Sequence, residues 1–132
     1  MKMDDSRLLD AARDASEKAY DRYSNYPVGA AVLDEQGRLH VGCNVENASF
    51  PEGICAEANA IGSMVVAGGT KIVSIAVWSG AGDAHRCTPC GGCRQRIAEF
   101  ADESTRILLT GEEGAIRVLS VEDLLPDSFS LR

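Results

Sequence analysis

Apolar side chains at Leu8, Leu9, Ala12, Ala15, Ala19 and Tyr23 recur at helical spacing and predict a helix over 4–23. Asn25-Tyr26-Pro27 is expected to end it, because the residue before a proline disfavours the α region. Residues 28–33 and 39–43 are short apolar runs joined by Asp34-Glu35-Gln36-Gly37, the pattern of a β-hairpin. The polar stretch Asn44-Val45-Glu46-Asn47-Ala48-Ser49-Phe50-Pro51 is too long for a tight turn and of a kind that often carries binding groups. Residues 55–66 predict a buried, alanine-rich helix closed by Gly68-Gly69. A fully apolar strand is expected over 72–78, a helix over 90–100 and a strand over 106–110. The run 115–119 follows only Gly111-Glu112-Glu113-Gly114, a link that permits an antiparallel hairpin but not a parallel crossover. Helix and strand alternating through the middle predict an α/β fold, a three-layer α/β/α arrangement around a mixed sheet of roughly five strands. The length suits a single domain over 1–132.

Composition narrows the function classes. Hydrophobic residues are 45% and charged residues 25%, an ordinary globular balance. No apolar run is long enough to span a bilayer, and Met1-Lys2-Met3-Asp4-Asp5 lacks a signal-peptide pattern, so no membrane association and a cytoplasmic location are expected. The net charge of −7 and the lack of a Lys/Arg cluster argue against a nucleic-acid polymer as partner and for a small uncharged or cationic ligand. Five cysteines, an odd number, argue against a disulfide framework and for metal ligation or catalysis by Cys55, Cys87, Cys90 and Cys93.

Cys55-Ala56-Glu57 and Pro89-Cys90-Gly91-Gly92-Cys93 each fall at the predicted start of a helix. Free N–H groups and partial positive charge there favour thiolate over thiol. Three thiolates from two such termini would hold zinc and leave its fourth position open, as catalytic zinc sites do. Glu57, two residues beyond Cys55, stands beside that position without sharing the metal bond, and so can handle the protons of a zinc-bound water. A structural zinc site or an incidental cysteine cluster is the plainer alternative. Cys87 shares the x-x spacing to Cys90, but a fourth thiolate would close the metal. Pro89 favours Cys90 and Cys93 as ligands; Cys87 and Cys43 are expected to be spectators and His85 an exposed loop residue.

With these residues the chain resembles the homotetrameric zinc-dependent cytidine deaminase family from about Tyr20 to Phe129. The blocks that carry the resemblance are 23–31, 42–51, Cys55-Ala56-Glu57, Pro89-Cys90-Gly91-Gly92-Cys93-Arg94-Gln95 and 124–129. The resemblance implies hydrolytic deamination of cytidine or deoxycytidine to the uridine and ammonia, in pyrimidine salvage, by zinc-bound hydroxide with Glu57 as proton shuttle. It implies Zn2+ on Cys55, Cys90 and Cys93, Asn44 and Glu46 on the sugar hydroxyl, and Tyr26 against the pyrimidine. Ala56 would orient the amine and Phe129 would reach a neighbouring subunit's site in a homotetramer. The plainer roles are core or interface packing for Tyr26 and Phe129, and a solvated loop for Asn44 and Glu46.

Two positions depart from the family pattern. Ala58 stands where three-cysteine members usually carry an arginine that hydrogen-bonds the ligand sulfurs, and Phe50 where a tyrosine is common. Either the zinc generates hydroxide more weakly or another group compensates, Arg94 being the nearest in sequence and Asn59 a further donor. These departures leave two other readings: a deaminase of a modified cytosine nucleoside or of blasticidin S, and a nucleoside-binding paralogue with weakened catalysis.

Overall fold

The computed structural model describes residues 3–80 and 87–131. Its elements are α1 (Asp5–Ser16), β1 (Val28–Asp34), β2 (Leu39–Cys43), α2 (Ala56–Val66), β3 (Ile72–Ser79), α3 (Gly91–Glu99), β4 (Arg106–Gly111), β5 (Arg117–Leu119) and α4 (Val121–Leu124). The strands form one sheet in the order β2-β1-β3-β4-β5. Only β3 and β4 run parallel; every other neighbouring pair is antiparallel. The connection between β3 and β4 runs through α3, as a parallel crossover requires.

Alternation along the strands divides the core between the two faces. Ala31, Leu33, Ala76 and Leu108 face α1 and pack on Leu8, Leu9 and Ala12. Ala30, Val32, Val77, Ile107 and Leu109 point the other way, onto Ala56, Ala60 and Met64 of α2 and Ile97 of α3. This is the expected three-layer α/β/α arrangement. Two glycines set how closely helices approach the sheet. A Cβ at Gly29 would stand 1.8 Å from the Ala12 carbonyl oxygen, and one at Gly42 2.5 Å from the Ala60 nitrogen. Glycine at 42 therefore lets α2 lie directly on β2, which fixes where its N-terminus points.

The first helix is shorter than its apolar spacing predicts, ending at Ser16 rather than near residue 23. Tertiary pairing wins over periodicity here. The Tyr20 N–H donates to the Asn44 carbonyl (3.0 Å), and the Glu46 N–H donates to the Tyr20 carbonyl (2.8 Å). These bonds pull the chain out of the helix well before Pro27 could end it. Two short elements, the 3-10 turn Phe50–Glu52 and α4, are absent from the hydrophobic pattern because neither carries a full apolar stripe. The last strand begins at Arg117 rather than 115. Among the described residues no helix is long and apolar enough to cross a membrane.

Candidate active site

Cys55 is the N-cap of α2 and Cys90 the N-cap of α3, with Cys93 in the first turn of α3. Neither cap residue makes a side-chain capping bond. At α1, by contrast, Asp4 accepts from the Arg7 N–H, and at α4 Ser120 and Asp123 complete a capping box. The two termini that meet on one side of the sheet thus lack a side-chain cap, and their partial positive charge favours anions, here thiolates.

The three sulfurs lie within 4.8 Å of one another, and Cys55 Sγ is 3.9 Å from Cys90 Sγ. Sulfurs sharing one tetrahedral zinc at about 2.3 Å stand roughly 3.8 Å apart, so the donor set fits that ion in chemistry and in spacing. Among the described residues this is the one such cluster, and Cys87 is not in it. His85 lies outside the described residues. The Cys55 thiol is drawn down to about 6, chiefly by its hydrogen bond with Cys93, with Cys90 and the Arg96 charge assisting against burial. Cys93 is pushed up by the same bond and by burial.

Glu57 projects from the first turn of α2 and is only 4% exposed. Burial lifts its carboxyl to about 7 and the Cys55 charge adds to the rise, while its own backbone N–H, Arg96 and Cys93 oppose it. A carboxyl so poised can take up and return a proton near neutral pH. It opens, with Cys55 and Cys90, onto a cavity of about 250 Å³ also lined by Tyr26, Asn44, Ala56, Ser79 and Cys87. A larger groove of about 670 Å³ lies across the sheet between α1 and the β4–β5 hairpin, but no thiol lines it.

The Asn44 side chain clamps backbone at the cavity wall: its Oδ1 accepts the Val28 N–H (2.9 Å) and its Nδ2 donates to the Tyr26 carbonyl (2.9 Å). One lone pair and one N–H of the amide remain for a ligand. Glu46 lines a neighbouring hollow of about 380 Å³ with Tyr23, Ser24 and Phe50 rather than the thiol cavity. Its carboxylate accepts the Tyr23 and Ser24 N–H groups at 3.0 and 3.1 Å and the Ser24 hydroxyl. The Ser24 hydroxyl above all holds it below its ordinary range. Neither residue sits in a merely solvated loop. Phe129 is 70% exposed, with its carbonyl held by Gln95 Nε2 at 3.1 Å.

Two features were not legible in the sequence. Cys87, expected to be a spectator, is no metal ligand in this cluster but is buried in the cavity wall, 3.2 Å from Ser79 Oγ. Ser79 in turn lies 2.7 Å from the Tyr26 hydroxyl. The cation at the thiols is Arg96, whose Nη1 is 3.4 Å from Cys93 Sγ. Arg94 instead donates to the Pro89 and Leu124 carbonyls at 2.8 and 2.9 Å, tying the ligand loop to α4, and Asn59 donates to the Cys43 carbonyl. The i, i+3 spacing from Cys93 to Arg96 is the signal that adjacency to Cys93 hid.

A pair of helix N-termini without side-chain caps, a three-thiol cluster and a buried carboxyl that shares a cavity with two of the thiols define a hydrolase-type zinc site on a mixed α/β sheet. The chain belongs to the family described as the cytidine and deoxycytidylate deaminase zinc-binding region, which matches residues 2–109. It is 41% identical to a cytidine deaminase of Sporosarcina psychrophila over 97% of this chain and 93% of that one. Its fold matches the crystal structure of a cytidine deaminase from Burkholderia pseudomallei with a TM-score of 0.90 at 42% identity, covering 96% of this chain and all of the other. A cytidine deaminase structure from Mycobacterium tuberculosis gives a TM-score of 0.83 at 35% identity over 98% of this chain and 100% of that one.

Proposed function

We propose that the chain, acting as one domain, is a zinc-dependent deaminase that converts cytidine or deoxycytidine and water into the corresponding uridine and ammonia. The observation that carries this reading is Glu57, buried and with its carboxyl lifted to about 7, on the same cavity as Cys55 and Cys90 of the three-thiol cluster. Cys55, Cys90 and Cys93 would hold the zinc. When bound, that ion supplies the Lewis acidity that makes water nucleophilic at neutral pH.

Glu57 accepts the proton of the attacking water and delivers it to N3 of the ring, which makes C4 electrophilic. The water oxygen bonds to C4. As the C4–N4 bond breaks, Glu57, again a carboxylate, takes the remaining proton from the new C4 hydroxyl and passes it to the departing amine, leaving C4=O and ammonia. Tyr26 forms the wall for the pyrimidine face, with its hydroxyl fixed by Ser79. Ala56 at the start of α2 borders the amine, and Asn44 offers its remaining N–H and lone pair to the sugar. Glu46 in the adjoining hollow extends that contact. Among the described residues neither the cavity nor that hollow is lined by lysine or arginine, which favours a nucleoside over a nucleotide.

The chain would act as a homotetramer, in which the exposed Phe129 would reach a neighbour's site. Thiol ligands that oxidation would destroy suit a reducing, cytoplasmic setting, and pyrimidine salvage is the use that fits the reaction. The test is the fall in ultraviolet absorbance as cytidine becomes uridine, with Glu57→Ala as control. Turnover by the wild type that vanishes in the variant is the expected result. A folded, zinc-loaded wild type that leaves cytidine unchanged would overturn the assignment.

A further inference from the structure

Cys93 lies in the first turn of α3, and Arg96, one turn on, folds back so that its Nη1 is 3.4 Å from Cys93 Sγ. The helix makes room for this. A Cβ at Gly92 would stand 3.3 Å from Nη1 and 3.9 Å from Cζ, so glycine there leaves the guanidinium its place. Arg94 is committed to two backbone carbonyls of the ligand loop and α4. Among the described residues Arg96 is therefore the guanidinium within hydrogen-bonding reach of a sulfur in the cluster.

Charge arithmetic gives that contact a consequence. Three thiolates on one Zn2+ carry a net −1, which opposes the Lewis acidity a hydrolytic zinc needs. A guanidinium donating to one sulfur brings the assembly to neutrality and draws lone-pair density away from the metal. We propose that Arg96 is a positioning residue that acts through Cys93 to offset the excess charge of the three thiolates and keep the bound metal electrophilic. The inference rests on the zinc deaminase reading above, and it assigns the charge balance to α3 rather than to the helix that carries Glu57.

The test uses the full chain loaded with Co2+ in place of zinc, as wild type, Arg96→Met and Arg96→Lys, with cytidine kinetics measured in parallel on the zinc forms. A thiolate that loses its hydrogen bond is a better electron donor, so Arg96→Met moves the thiolate-to-cobalt charge-transfer absorption to longer wavelength. It also lowers kcat by ~10–100-fold while KM stays within about 2-fold. Arg96→Lys restores part of both. Gly92→Ala, which crowds the guanidinium without removing it, gives a smaller shift in the same direction and serves if Arg96→Met does not fold. An absorption band that does not move in Arg96→Met or Gly92→Ala overturns the inference, even if kcat falls. A wild type whose cobalt band is intact but which does not turn over cytidine fails the substrate reading alone, and the band still decides the role of Arg96.

Discussion

Asp34 and Glu57 are both buried carboxyls, 1% and 4% exposed, yet their surroundings drive them in opposite directions. Asp34 ends β1 and is ringed by donors. Its Oδ1 accepts the Gln36 and Arg38 N–H groups, and its Oδ2 accepts Arg38 Nε at 2.9 Å and His40 Nε2 at 2.8 Å. Burial alone would raise it, but the bonds from His40, Arg38 and Gln36 together bring it down to about 2. Glu57 has no such ring of donors, and burial carries it up to about 7. A buried carboxylate with its acceptors filled holds a turn together; one left short of donors is available to exchange a proton. The difference separates architecture from chemistry without reference to pocket size, since the larger groove lies away from both.

Exchanging each carboxyl for its amide should produce the largest and most opposite effects. Glu57→Gln should lower kcat by ~10²–10⁴-fold, because the proton carrier is lost. The same change should stabilise the metal-free protein above neutral pH. Glu57 goes from an ordinary 4.5 to about 7 on folding, so its stabilising contribution is full below 4.5 and lost as pH rises through 7. Removing the charge recovers roughly 3 kcal/mol at about pH 8, read by denaturant unfolding. Asp34→Asn should do the reverse: a loss of roughly 2–4 kcal/mol in the same assay, with kcat per folded molecule close to wild type.

The acid limb sharpens the contrast further. Asp34 falls from 3.8 to about 2 on folding, so its contribution is full above 3.8 and lost as pH drops toward 2. Asp34→Asn should flatten that limb, while Glu57→Gln leaves it in place. Asp4→Ala, which uncaps α1 on the far face of the sheet, should cost ~1 kcal/mol in unfolding without changing zinc content. The smallest effect is expected for Ala58→Arg: kcat within about 2-fold of wild type, because Arg96 already balances the thiolates. A large gain in kcat would show that balance to be incomplete.

Much of this arrangement was legible in the sequence. The apolar runs gave the sheet and its flanking helices, because strands buried on both faces read as continuous hydrophobic segments. The thiol cluster and the place of Glu57 beside it were legible because residues two or three apart at a helix start stay together in space. What escaped depends on contacts between distant segments. The end of α1 is set by Tyr20 pairing with the loop at Asn44 and Glu46, which no local pattern encodes. Arg94 and Arg96 differ by two positions on one helix, and only the direction of each side chain decides which meets a sulfur. Cys87 reaches the cavity through the spatial neighbour Ser79, eight residues away in the chain and on another element. Its spacing to Cys90 repeats that of the ligands, so spacing alone could not separate it from them.

Three thiols at two helix termini without side-chain caps, and not four, would hold one catalytic metal. Zinc content per chain should be measured on the wild type and on the single serine variants of Cys55, Cys87, Cys90 and Cys93. One zinc per chain in the wild type and in Cys87→Ser, with loss in the other three, is the predicted result. Loss of zinc in Cys87→Ser together with the others would mean a closed four-thiolate site and would contradict the account.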